Sequence, residues 1–223
     1  MNKLNIIAGM CVIAAVSACS SSSSNESGGG GTTGGTVALP LAPGAGSGAI
    51  QASTLSGVSA ALDQLETAIG NGTVAAPTTA PTGQATMNGY VGVDGENDTE
   101  SVVGNLTVNA NFDAGTVTTT ASDFGEFDFT DPSNPVAVST LGVRGGTLSG
   151  SGAINSTTIS STLDGTITST NGDVTIDADL NGGVYDNGGT LLVSGDVTGT
   201  ATDVTATDVT GTSTLEGDFV ASE

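Results

Sequence analysis

The sequence predicts an all-β protein, an eight-stranded antiparallel up-and-down β-barrel preceded by one short helix and a disordered tether. Two observations lead there. From Gln84 to the C-terminus apolar and polar residues alternate with period two, the signature of strands with one buried face. Turn-forming residues break the alternation at hairpin spacing, as in Asp113-Ala114-Gly115, Asn171-Gly172 and Asn187-Gly188. Consecutive hairpins give a meander, and closing it removes the exposed edges.

Residues 1–18 read as a lipoprotein signal peptide. Met1-Asn2-Lys3 supplies a short positive region, and the apolar stretch Leu4–Val16 is too short to span a bilayer as a helix. It runs into Val16-Ser17-Ala18-Cys19, which resembles a bacterial lipobox, an aliphatic residue and two small ones before the cysteine that takes the lipid. Cys19 is the expected lipidation site, and membrane lipid the expected partner. Cleavage removes Lys3 and Cys11, so Arg144 stands alone against 23 acidic residues, and no disulfide is available. Such a surface repels polyphosphate, which excludes nucleic acid. With His 0 and no thiol left in the folded region, histidine triads, histidine zinc sites and cysteine nucleophiles are excluded too.

Residues 19–48 read as a flexible Ser/Gly-rich tether, with the serine run Ser20–Ser24 and the glycine run Gly28–Gly31. Residues 49–80 carry one amphipathic helix and a Pro-rich linker. Leu55, Val58, Leu62, Leu65 and Ile69 fall on one stripe, Ser53 or Thr54 can cap its start, and Gly70-Asn71-Gly72 ends it. The stripe packs on the domain, plugs a barrel end or forms a short coiled-coil seam. Strands are expected at 84–93, 102–112, 115–123, 145–154, 158–169, 172–184, 189–201 and 212–222, with Val136–Leu141 an alternative for the fourth. Asp and Asn on the polar faces put those faces in water, and 3% aromatic content supplies no membrane girdle.

Several stretches resemble transferrin-binding protein B-like barrels. They are Asn111-Phe112-Asp113-Ala114-Gly115-Thr116-Val117 on to Ser122-Asp123-Phe124, and Gly165-Thr166-Ile167 through Asp179-Leu180-Asn181-Gly182. Gly195-Asp196-Val197-Thr198-Gly199-Thr200-Ala201 is similar too, as is the ending Leu215-Glu216-Gly217-Asp218-Phe219-Val220. Pro81-Thr82-Gly83-Gln84-Ala85-Thr86 resembles the family's first strand, so the likeness spans residues 81–223. It implies a lipid-anchored eight-stranded barrel, often displayed outside the outer membrane, whose family members capture host transferrin or complement regulators. No ligand-contact residue is carried over.

Two acidic stretches are candidate sites. Asp94, Glu96, Asp98 and Glu100 repeat every second residue and offer oxygens to Ca2+, though the stretch has neither the sixth-position glycine nor the flanking helices of an EF-hand. Alternatively, they are a solvated loop. Phe127, Asp128, Phe129 and Asp131 are a candidate protein-binding loop, because exposed aromatics dominate interface energetics. The alternative is that the rings fill the barrel mouth. Asp173, Asp177 and Asp179 share an outward face, and paired carboxylates can hydrolyse glycosides. They lack the cleft and aromatic platforms this needs. The expected function is therefore a non-enzymatic binding or display module on an outer-membrane, cell-surface lipoprotein, with no cofactor except Ca2+ if the first loop holds it. An envelope or matrix protein bridged by cations is the alternative, and a glycan-acting enzyme a remote one.

Overall fold

The computed structural model describes residues 36–39, 44–94, 100–128, 139–169, 172–203 and 212–223. One helix, α1 (Ala52–Gly70), precedes eight strands. These are β1 (Gln84–Asp94), β2 (Glu100–Asn111), β3 (Thr116–Asp128), β4 (Ser139–Asn155), β5 (Thr158–Ser169), β6 (Gly172–Asn187), β7 (Thr190–Asp203) and β8 (Thr212–Ser222). Each strand pairs antiparallel with the next, and β1 pairs with β8, so the sheet closes into an up-and-down barrel. The expected fold class is present.

The alternation sets what lies inside. Met87 and Val91 of β1, Leu106 and Val108 of β2, and Leu163 and Ile167 of β5 share one buried cluster with Ile176, Leu180 and Phe219. Their neighbours Asp177 and Asp179 are exposed on the other face. A Thr119–Ser161 hydroxyl pair at 3.1 Å is buried, and Thr119 also donates to the Thr162 carbonyl. Among the described residues, these side chains pack the lumen. The cavity found among Val91, Val102, Phe124, Leu163, Ile176 and Val197 measures about 10 Å³, room for one water.

Two strands run further than the alternation suggests. β3 was expected to stop at 123, but Asp123 takes a positive φ of 58° and shifts the register against β4. This bulge resets the phase, and the strand continues to Asp128. β4 starts at Ser139, not at 145, and so absorbs part of the alternative stretch 136–141. At the β6–β7 turn Gly188 and Gly189 have φ of 70° and 95°, the paired left-handed conformation a two-residue hairpin needs.

The helix stripe packs against the outside of the barrel wall. Leu55 and Val58, with Ile50, cluster with Tyr90, Val103 and Phe127, while Leu65 and Ala68 cluster with Val74, Leu192 and Val220. The capping expectation needs correction. Gln51 is the N-cap and makes no side-chain cap bond; the amides of Thr54 and Leu55 bond the Gln51 carbonyl at 2.9 and 3.2 Å. At the other end Asn71 donates to the Thr67 carbonyl, and Gly72 turns the chain with a φ of 76°.

The end of the expected tether is also folded onto the barrel. Val37 N donates to Asn187 Oδ1 at 2.9 Å, and Asn187 Nδ2 returns a bond to the Val37 carbonyl at 2.8 Å. Ala45 N donates to Thr107 Oγ1, Gly46 N to Ser122 Oγ and Asp123 Oδ2, and Asn105 Nδ2 to the Gly48 carbonyl. Residues 36–39, 44–51 and α1 together make a strap across one side of the wall.

Candidate functional site

An up-and-down barrel sorts its connections by end. The turns 112–115, 156–157 and 188–189 lie at one end, where Gly83 leads into β1 and donates to Asp113 Oδ1 at 2.9 Å. The connections 95–99, 129–138, 170–171 and 204–211 join strands at the opposite end and lie outside the described residues. Both candidate loops belong to that second end.

Of the proposed calcium ligands, Asp94 closes β1 and Glu100 opens β2, while Glu96 and Asp98 lie outside the described residues. The Asp94 carboxylate accepts a hydrogen bond from Ser101 Oγ, its cross-strand neighbour. Among the described residues no three metal-ligating side chains converge. Cys19 also lies outside the described residues.

The aromatic loop requires a correction. Phe127 is a strand residue, 0% exposed, packed between the outer wall and the strap. Its ring lies over Gly125, two residues back on the same face, where a Cβ would collide with it. It is therefore neither an exposed anchor nor a plug of the mouth. Asp128 ends β3, and Phe129 and Asp131 lie outside the described residues. Phe124 points the other way, into the core, over Gly104. Its cross-strand partner Arg144 holds the Glu126 carboxylate in a two-pronged ion pair, Nη2 to Oε1 at 2.9 Å and Nε to Oε2 at 3.1 Å. That pair lies toward the end with the long connections.

The sequence reading missed a carboxylate beneath the strap. Asp218 on β8 is 4% exposed, and its Oδ1 has no hydrogen-bond partner. Burial pushes its carboxyl up to about 8, and Asp196, Asp94 and Glu66 add to the rise. Burial also raises Glu66, with Asp63 contributing. Asp123 goes the other way. Burial raises it, but bonds from Gly48, Ser122, Gly46 and Asn105 outweigh that and hold it below the usual carboxylate value. A sequence signal existed for the wall beneath the strap. Tyr90-Val91, Val102-Val103, Leu191-Leu192-Val193 and Phe219-Val220-Ala221 break the alternation with consecutive apolar residues, as strands covered on both faces do.

No family model, curated protein or solved structure matches the chain.

Proposed function

We propose that this protein is a lipid-anchored surface lipoprotein whose barrel is a non-enzymatic display module, holding its long-connection end away from the membrane to bind a protein partner. The observation that supports it most is where the chain joins the barrel. Thr36 packs against Gly188, and Val37 bonds Asn187, at the turn end, opposite the connections 95–99, 129–138, 170–171 and 204–211. A tether running from a lipidated Cys19 to that point leaves the other end free. Sixteen residues, 20–35, separate them, and a Ser/Gly-rich chain of that length spans roughly 22 Å. Packed lumen residues such as Met87, Leu106 and Leu163, each almost wholly buried, support recognition on the outside of the barrel. The resemblance to transferrin-binding protein B-like barrels suggests the same class of use.

The anchor and the orientation are tested separately. Intact mass of the membrane-extracted protein should match a chain starting at diacylated Cys19, and Cys19→Ser should accumulate as unprocessed precursor. For orientation, a dye is attached through Ser156→Cys at the turn end or Asp131→Cys at the other. In vesicles carrying headgroup quenchers, the dye at 156 should be quenched more strongly. Equal or reversed quenching contradicts the orientation. Impermeant maleimide that fails to label Asp131→Cys on intact cells contradicts surface display.

A further inference from the structure

Buried polar atoms without partners are costly, and here they gather at one interface. Among the described residues they are Tyr90 Oη, Asn105 Oδ1 and Asp218 Oδ1. All three belong to the outward wall beneath the strap. A cavity of about 10 Å³ lined by Leu39, Leu62, Tyr90 and Val220 lies between strap and wall. The helix adds little stability of its own. It has no side-chain cap bond, no acid in its first turn and no base in its last.

Like charges also oppose the docking. Asp218 pairs across the sheet with Asp196 of β7 and with Gly92 of β1, two residues before Asp94, while α1 brings Glu66. On its own strand Glu216 is exposed two residues away. Among the described residues, the charged groups that act on Asp218 are the carboxylates Asp196, Asp94 and Glu66. Against this opposition α1 packs on the wall through its apolar stripe, while the lead-in is held by its hydrogen bonds.

We propose that α1 is a proton-gated strap, docked on the barrel wall while Asp218 carries a proton and released from it when Asp218 ionises. Undocking returns Asp218 to water, where its carboxyl has the ordinary value of 3.8, against about 8 when docked. The docked form therefore binds the proton more tightly. Its advantage is complete below 3.8 and is lost as pH rises through about 8. Between those values each pH unit shifts the undocked-to-docked ratio about tenfold. The lead-in has the opposite sign, since a lowered Asp123 keeps its carboxylate, and its bonds to residues 46 and 48, throughout the alkaline range. It acts as the hinge. Release bares the apolar wall of Tyr90, Val103, Phe127, Leu192 and Val220. The inference does not depend on lipid anchoring.

The chain supplies its own reporter. It has Tyr 2 and Trp 0, and both tyrosines, Tyr90 and Tyr185, pack against the strap. The ordinary phenol value is 10.0 and burial raises both while docked, so both are mostly protonated up to pH 9 with the strap on or off. Acrylamide quenching of tyrosine emission in the full-length protein should rise severalfold between roughly pH 6 and 9, while the far-ultraviolet strand signal is unchanged. Asp218→Asn should abolish the step. Glu66→Gln, which removes one repelling charge, should move it to higher pH. Flat quenching in the wild type, a step that survives Asp218→Asn, or loss of strand signal at the same pH overturns the proposal. Should Asp218→Asn fail to fold, an unmoved step in Glu66→Gln overturns it alone.

Discussion

Met87, Leu106, Leu163 and Phe219 inside the barrel are no more deeply buried than Leu65 of α1 or Phe127 and Leu192 of the outer wall beneath it. What surrounds them differs. Among the described residues the lumen is lined by apolar side chains around the satisfied Thr119–Ser161 hydroxyl pair, with the Arg144–Glu126 ion pair toward one end. The outer interface encloses a carboxyl at about 8 and three partnerless polar atoms. Burial alone therefore does not mark a stable core. The lumen commits eight strands to one another, whereas the strap is a second layer laid over a wall that is already closed.

The largest expected effect of breaking this contrast lies in the lumen. Ile176→Asp puts an unpaired charge among Val197, Leu163 and Phe124, all of which line the same cavity. It should cost about 4 kcal/mol or more and remove the strand signal, as read by urea melts with circular dichroism. Leu65, 1% exposed on the strap, is the matched test outside. Leu65→Asp should cost only about 2 kcal/mol, the value of one buried leucine, because the helix can leave and carry the charge into water. Its strand signal should persist while tyrosine quenching rises at all pH values. If Leu65→Asp unfolds the barrel as fully as Ile176→Asp, the two layers are one.

The alternation made the lumen legible, since each strand carries its own record of which residues face in. Val174, Ile176 and Leu180 against Asp177 and Asp179 is the clearest case. The pattern failed where the backbone changed phase. The bulge at Asp123 sends Phe124 inward and Phe127 outward, so the part of the apparent aromatic loop up to Asp128 is a strand with rings on both faces. The strap's landing site was harder to read, because Thr107, Ser122 and Asn187 look like solvent-facing residues until a backbone bonds them. Composition did not mark residues 36–39 and 44–48 as docked, because their bonds run through backbone amides and carbonyls to distant side chains.

The smallest expected effect is on the bare side of the wall. Asp177 is exposed and stands directly opposite Asp164 on β5. Asp177→Asn should change stability by no more than about 0.5 kcal/mol, toward stabilisation, by relieving that like-charge pair. Raised salt should erase the difference, because screening removes the same repulsion. A loss above about 1 kcal/mol would mean that this face, too, is covered.

Native-state hydrogen exchange on the full-length protein tests the two-layer account most directly. Amide protection is followed at one pH as urea is raised from zero. The amides of α1 should open in a sub-global step, with lower free energy and weaker urea dependence than those of β2, β5 and β6. The gap should widen from pH 6 to pH 8 as Asp218 loses its proton. If α1 and the central strands share one opening free energy at both pH values, helix and barrel are a single cooperative unit and the account is wrong.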